Sequence, residues 1–274
     1  MASMLRYESG VGGEVVDLDC NKVSAGTAEE LRSRKLSYGL GRRGIKSAVR
    51  KAREASLDVR CTDLAELDRM RHVFERDVAN GRPGELVVGD GWRTRAVFVS
   101  QEPSKIYRSF VAASLKAVLT DGIWRRGSTT QLIPTDGAGG AALDMPYDAP
   151  YDLSSPPPTS VLVAPKWAPS PIRLVIYGYA SNPEVRIGDN VYAVDATVPS
   201  GGYMVIDGLD MTVTITDAYG ATSNAFASAR RGSGPGCGEY VFERVPPGDS
   251  EVVWSKAFGF DLTVYEEEAE PPWS

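Results

Sequence analysis

The most regular patterning in the chain lies near its end. There "VPPGDSEVVWSKAFGFDLTVYE" (residues 245–266) opens on a Pro-Pro-Gly turn and then alternates apolar and polar positions. Alternation places successive side chains on opposite faces of a strand, which assigns Val252, Trp254, Phe260, Leu262 and Val264 to a core. The stretch carries no obvious nucleophile, metal ligand or phosphate loop, and is predicted to be a strand pair at the edge of a sandwich. From about Ser160 onward, turn signals recur at "SNPE", "IGDN", "PSGG", "DAYG", "GSGPG", "PPGD" and "SKAFG". Between them lie the short strands "PIRLVIYG", "VYAVDATV", "YMVIDG", "MTVTIT" and "FDLTVYE". A spacing of about eight to twelve residues between turns, without helix-period segments, predicts an antiparallel β-sandwich.

The N-terminal half reads differently. Only "TDLAELDRMRHVFERDVANG" is predicted as a helix, at about 62–80, because Leu64, Leu67, Met70 or Arg71, Phe74 and Val78 fall on one stripe at a period of about 3.6. Thr62 offers an N-cap oxygen and Gly81 a C-terminal stop. In "RPGELVVGDGWRTRAVFVSQEP" a turn is expected at Pro83-Gly84, and then two runs joined by Gly-Asp-Gly predict a hairpin. "YRSFVAASLKAVLTDGIW" mixes helix-favouring Ala and Leu with Val and aromatic residues, and is assigned to strand. In "PTDGAGGAALDMPYDAPYDLSSPPPTS", residues 134–160, periodic patterning gives way to Gly, Pro, Ser and Asp. The expected class is therefore mainly β: a β-rich domain with one helix over 1–135, a connection over 136–160, and an antiparallel sandwich over 161–274.

Composition agrees with a folded, turn-rich protein, at 42% hydrophobic and 24% charged residues with 28 Gly and 18 Pro. The start "MASMLRYESG" has no signal-peptide core, and no window approaches the about 20 apolar residues that span a bilayer, which predicts a cytosol-like compartment and no membrane partner. Cys20, Cys61 and Cys237 are too few and too widely spaced for a disulfide framework, and read as buried or half-buried thiols. A net charge of -6 argues against specific nucleic-acid binding. The average conceals an asymmetry: from Arg32 to Arg53 every charged residue is basic, whereas the chain ends in "YEEEAEPPWS". Either these are two solvated faces, or they meet when copies pack side by side. The second reading makes Arg42, Arg43, Lys46 and Arg50 candidate subunit-interface residues.

Little in the chain is suited to catalysis. Gly39-Leu40-Gly41-Arg42-Arg43-Gly44 matches G-x-G-x-x-G, but a dinucleotide fingerprint needs an apolar strand before the glycines and "RSRKLS" is polar and basic. The stretch reads as a glycine-rich loop between strands. His72 is the only histidine and falls on the predicted helix, so neither a Ser-His-Asp triad nor a histidine-rich metal site has material. No catalytic, cofactor-binding or metal residue is assigned, and no cofactor is expected. Trp92, Trp124, Trp167, Trp254 and Trp273 read as core or interface anchors.

The order of these segments carries a resemblance. A basic extended region, the strand "REASLDVRC", the helix, "GRPGELVVGDGW" and a hairpin come first. They are followed by "IYGYASNPEVRIGDNVYAV", "GGYMVIDG", "TVTITDAYGATSNAF", "VFERVPPGDSEVVWS", "FGFDLTVYE" and a terminal "EPPW". Over nearly its whole length the sequence resembles the distal tail (Dit) family of siphovirus-like bacteriophages. The positions that carry it are Gly84, Trp92, Gly178, Asn182, Pro183, Pro247, Gly248, Trp254, Phe260 and Trp273. The resemblance implies a galectin-like C-terminal sandwich and N-terminal domains closed in a ring of six around a channel. Such a protein is a structural hub and no enzyme, joining the tail tube to the tail tip or baseplate. The implied partners are further copies of the chain, the tail-tube protein, the tail-tip or tail-associated protein, the tape measure, and a receptor-binding protein or host glycan. The implied location is the distal end of the virion tail, after assembly in the bacterial host cytoplasm. The chain has no large inserted carbohydrate-binding module and no long arm-like insertion. The main rival is a carbohydrate-binding module of a tail-associated host-recognition protein, with Tyr177, Tyr179, Tyr192 and Tyr203 on its open face; a tail-associated hydrolase is a third class.

Overall fold

The computed structural model describes residues 5–26, 28–33, 36–134, 160–165 and 167–271. It divides into two units, Met1–Arg126 with Glu267–Ser274, and Gly127–Glu266. Apart from Ser160, the connection expected at 136–160 lies outside the described residues.

The first unit contains β1 (Leu5–Glu8), β2 (Val15–Asp17), β3 (Val23–Ser24), β4 (Ser37–Gly41), β5 (Gly44–Val49), β6 (Arg53–Cys61), α1 (Leu64–Asn80), β7 (Gly84–Val88), β8 (Trp92–Ile106), β9 (Val111–Leu119) and the start of β10 (Trp124–Leu132). Antiparallel pairing runs β2-β1-β7-β8-β9-β6-β3. β6 and β9 bury every second residue along their length: Ala55, Leu57, Val59 and Cys61 on β6, and Val111, Ala113, Leu115, Ala117 and Leu119 on β9. That alternation makes "VAASLKAVL" a strand despite its alanines. At the heart of this core Phe74 of α1 stacks on Phe98 at 4.2 Å, and Tyr7 meets both rings edge-on at 5.4 and 5.2 Å.

Three local expectations are corrected in this unit. The α1 N-cap is Asp63 rather than Thr62; its carboxylate accepts the Ala65 N–H at 3.0 Å, while the Thr62 hydroxyl turns to the Lys22 carbonyl at 3.3 Å. Gly84 is no turn residue but the buried first residue of β7, and the chain turns earlier, at left-handed Gly81 (φ 61°). The buried helix stripe is Met70, Val73, Phe74 and Asp77, whereas Leu64 and Val78 face solvent. The helix is turned toward Asp77 because that carboxylate accepts hydrogen bonds from Tyr7 Oη (2.7 Å), Ser9 Oγ (2.7 Å), Gly10 N (3.2 Å) and Val11 N (3.2 Å). Burial first, and then this bond to Asp77, push the Tyr7 phenol far above its ordinary pKa.

The second unit contains the rest of β10 with β11 (Ser160–Ala164), β12 (Ile172–Tyr177), β13 (Ala180–Ser181), β14 (Glu184–Ile187), β15 (Asn190–Ala193), β16 (Thr197–Val198), β17 (Tyr203–Asp207), β18 (Thr212–Thr216), β19 (Thr222–Asn224), β20 (Gly248–Trp254) and β21 (Phe260–Glu268), the last ending in the first unit. Its strands form two antiparallel layers. One has the order β19-β18-β17-β12-β21-β10 and the other β11-β20-β14-β15. Ile172, Leu174, Met204, Ile206, Phe260 and Leu262 of the first layer meet Leu162, Val185, Ile187, Tyr192 and Val252 of the second in one core.

The strand pair read from residues 245–266 is also corrected. β20 lies between β11 and β14, and β21 between β12 and β10, so the two belong to opposite layers and neither is an edge. Val252 on β20 and Phe260, Leu262 and Val264 on β21 are buried in the shared core, as the alternation requires. Alternation is the same for strands that pair and strands that face one another across a core, and the "SKAFG" turn carries the chain across. Among the described residues no helix is long and apolar enough to cross a membrane.

Candidate functional site

Most of the signature positions shape backbone and core. A Cβ on Gly84 would fall 2.5 Å from Tyr7 Cζ, so β1 and β7 approach closely only without a side chain there. Trp92 is 3% exposed and lies under the Arg126 guanidinium, 5.1 Å from its ring centre. Gly178 packs against the backbone of Pro199, Asn182 adopts a positive φ of 45°, and Pro183 is buried. Pro247 is exposed, and Gly248, at φ 99°, opens β20. Phe260 is 0% exposed, with Trp254 edge-on at 5.3 Å. Asn182 and Trp254 line one groove of the second unit. Trp273 lies outside the described residues. Of the other tryptophans, Trp124 is buried and Trp167 is exposed.

The candidate interface residues sit together. β4 and β5 pair with each other in a two-stranded hairpin, which among the described residues joins no other strand. Arg42 and Arg43 form its tip, Lys46 lies on β5, and Arg50 follows it. None of these four side chains makes an ion pair or hydrogen bond among the described residues. The register sets Tyr38 opposite Ala48 and Leu40 opposite Ile45, so these residues share a face. Tyr38, Leu40 and Ile45 are 63%, 74% and 68% exposed. Below the hairpin the Arg53 guanidinium donates to the carbonyls of Glu30 (2.8 Å) and Leu31 (3.0 Å) and to Ser33 Oγ (3.1 Å). Burial lowers its pKa from the ordinary value. Sequence reasoning found the basic charge but missed the solvent-facing apolar stripe; its signal was the alternation in "SYGLG" and "GIKSAV". The formal G-x-G-x-x-G match is this hairpin and its turn.

Other candidates are spread out. Tyr177 and Tyr203 face each other across β12 and β17, and Tyr177 donates to Asp261 Oδ2 at 2.7 Å. Tyr179 is exposed. Tyr192 is a correction: it is 0% exposed, its hydroxyl donates to the Glu243 carbonyl at 2.9 Å, and burial raises its pKa, so no ligand on an open face can reach it. It lies within the buried run Tyr192–Val194 of that strand region, where tyrosine serves the core. His72 is exposed on α1. Cys61 and Cys237 are buried and half-buried as expected, but Cys20 is exposed, because its strand-flanking loop leaves it at the surface. Backbone N–H groups, that of Glu239 first, draw the Cys237 thiol below its ordinary pKa. Among the described residues no group of three or more His, Cys, Asp and Glu side chains is placed to hold a metal ion.

No sequence-family profile and no curated protein matches the chain. Solved structures do. The Dit protein of phage SPP1, described as a paradigm of the hub adsorption apparatus in phages infecting Gram-positive bacteria, is similar at a TM-score of 0.55 and 10% identity over 98% of this chain and 100% of that one. A chain of the phage P2 baseplate in its activated conformation with calcium is similar at a TM-score of 0.62 and 11% identity, over 99% and 100%. The same baseplate with strontium gives the same values. The fold of this chain is that of phage Dit and baseplate components.

Proposed function

We propose that the chain is a structural virion protein, a distal-tail hub whose copies, six in number, close into a ring that joins the tail tube to the tail tip or baseplate and leaves a channel for DNA. The observation that carries this reading is the extent of the fold similarity. It covers 98% or 99% of this chain and all of each matched chain, so both units take part. The partners in this reading are other copies, the tube protein on one face, the tail-tip protein and tape measure on the other, and a receptor-binding protein at the periphery. The protein acts at the distal end of the tail after assembly in the host cytoplasm, and works by presenting rigid surfaces rather than by catalysis.

The β4–β5 hairpin supports the assembly part. A two-stranded hairpin is marginally stable alone in water, and an apolar face this exposed marks a contact surface. Head-to-tail closure into a ring needs two different complementary patches on each chain. The hairpin supplies one of them, with Tyr38, Leu40 and Ile45 as its apolar part and Arg42, Arg43, Lys46 and Arg50 as its charged rim. Arginines on the channel wall would retard a passing genome through salt-dependent phosphate contacts, so this reading keeps them at the subunit contact and makes the wall neutral or acidic. Reversing Arg42, Arg43 and Lys46 to glutamate tests the assignment. Light scattering should report loss of rings while the thermal midpoint stays within a few degrees of wild type; rings that assemble unchanged would refute it.

A further inference from the structure

The turn that joins β7 to β8 is Gly89-Asp90-Gly91. Both glycines have positive φ, 52° and 93°, and a Cβ built on either would meet no atom within 4 Å beyond the adjoining residues. The space on both sides of Asp90 is therefore open. Asp90 is exposed, and its carboxylate makes no ion pair or hydrogen bond among the described residues. The Gly91 N–H donates no hydrogen bond among them either. A free carboxyl group thus sits next to a free backbone nitrogen that no side chain shields.

Asn or Asp precedes Gly at five points in the chain: Asn80-Gly81, Asp90-Gly91, Asp121-Gly122, Asp136-Gly137 and Asp207-Gly208. Asp136-Gly137 lies outside the described residues. Three of the other pairs are tied down. At the end of α1, Asn80 Nδ2 donates to the Arg76 carbonyl at 2.7 Å, and the Gly81 N–H donates to the carbonyls of Asp77 and Val78. The Asp121 carboxylate pairs with Arg125 and accepts the Ile123 N–H at 3.3 Å, while Gly122 is buried against the Lys51 carbonyl. Asp207 Oδ1 accepts the N–H groups of Leu209 (2.8 Å) and Asp210 (3.2 Å), and the Gly208 N–H donates to the Ile172 carbonyl at 2.9 Å. A side chain and a nitrogen held in this way meet only after local opening. Asp90 and Gly91 need none.

We infer that Asp90 is a site of spontaneous isoaspartate formation in the folded protein, and that the fold suppresses the same chemistry at Asn80, Asp121 and Asp207. The Gly91 nitrogen attacks Cγ of the protonated Asp90 carboxyl group. An N–Cγ bond forms, the nitrogen loses its proton, and the carboxyl hydroxyl leaves as water, which closes a five-membered succinimide. Water then opens the ring. Attack at Cγ restores aspartate, whereas attack at the original main-chain carbonyl leaves the chain running through Cβ and Cγ as isoaspartate. The water lost in the first step is regained in the second, and nothing is oxidised or reduced. The product adds one methylene to the backbone of the turn. Val88 and Trp92 on either side are buried in the core, so the change is confined to the loop and the folded chain carries it. The site stands independently of ring assembly, and either can fail without the other.

The test is to age the full chain at neutral pH in water enriched in heavy oxygen, folded and in urea, and to map the label by peptide mass spectrometry. Ring opening inserts one heavy oxygen, and electron-transfer fragmentation separates isoaspartate from aspartate. In the folded protein residue 90 should gain label and isoaspartate about ten-fold or more ahead of Asn80, Asp121 and Asp207, because those sites react only from locally opened states. In urea Asn80 should overtake Asp90, since an amide loses ammonia more readily at neutral pH than a carboxylate loses water. Asp90→Glu should abolish the label at residue 90, because ring closure would need six members. That side chain is exposed and unpartnered among the described residues, so the variant should keep the fold, and matched circular dichroism spectra verify that. Label at Asn80, Asp121 or Asp207 that keeps pace with residue 90 in the folded protein overturns the inference. So does an unlabelled residue 90 once the chain in urea has converted, or label at that position that survives Asp90→Glu.

Discussion

Asp77 offers the sharpest test of how the first unit is held together. Its carboxylate is 1% exposed, and each oxygen receives one hydroxyl and one backbone N–H: Ser9 and Val11 on Oδ1, Tyr7 and Gly10 on Oδ2. Asp77→Ala strands the Tyr7 hydroxyl and the Gly10 N–H in a region that water reaches only in part, whereas the Ser9 hydroxyl keeps the Val11 carbonyl (2.8 Å) and the Val11 N–H keeps Ser9 Oγ (3.1 Å). At about 1–3 kcal/mol for each of the two donors left unsatisfied the loss is about 2–6 kcal/mol, a large share of an ordinary stability of about 5–15 kcal/mol. Asp77→Asn separates shape from chemistry. The amide fills the same space, and the Tyr7 and Ser9 hydroxyls can turn to accept from it. The N–H of Gly10 or of Val11 cannot turn, so whichever way the amide lies, one backbone donor faces its NH2 group. That mismatch, with the loss of charge, should cost about 2–3 kcal/mol. Urea unfolding followed by near- and far-ultraviolet circular dichroism measures both variants. If Asp77→Asn falls within about 0.5 kcal/mol of wild type, the carboxylate only fills space and the reasoning is wrong.

Gly84→Ala should destabilise the first unit by about 3 kcal/mol, because the new Cβ would fall 2.5 Å from Tyr7 Cζ; an unchanged melting temperature would mean that β1 gives way freely. Tyr192 sets an alkaline limit on the second unit. Its folded pKa is raised by burial, so its contribution is intact below the unfolded value of about 10 and is lost as pH rises above it. In urea titrations between pH 7 and 11, Tyr192→Phe should flatten the alkaline fall in midpoint after an initial loss of about 1 kcal/mol, whereas curves parallel to wild type would contradict this. Arg125 pairs with Asp121 and, at 2.9 Å, with Glu267. Arg125→Met should cost about 1–3 kcal/mol and speed proteolysis near residue 267; an unchanged cleavage pattern would refute the tether.

Strands were legible wherever burial follows a period of two, as in Ile172–Tyr177, Tyr203–Asp207 and Phe260–Glu268. Which strands become neighbours was not, because β20 and β21 show the same alternation whether they pair or face one another across the core. The helix was found but its orientation was misread, since a buried aspartate counts as a surface residue until the Ser9–Val11 donors are placed beside it. Thr62 and Asp63 are both good caps, and only geometry chooses between them. At the hairpin, charge was visible while the exposed Tyr38–Leu40–Ile45 face was not, because its glycines read as loop. The residues of the groove lined by Asn182 and Trp254 come from "SNPEVRIGD" and "DSEVVWS", distant in sequence and joined by the pairing of β14 with β20. Each segment stood out as a signature, but the surface they make together depends on a register that no single segment carries.

The central claim is ring assembly at the end of a tail. Light scattering and negative-stain imaging of the purified chain, alone and mixed with its tail-tube and tail-tip proteins, address it directly. The account predicts six-fold rings with an open centre and six times the monomer mass, at the latest once those partners are present. A compact monomer that persists with both partners would contradict it.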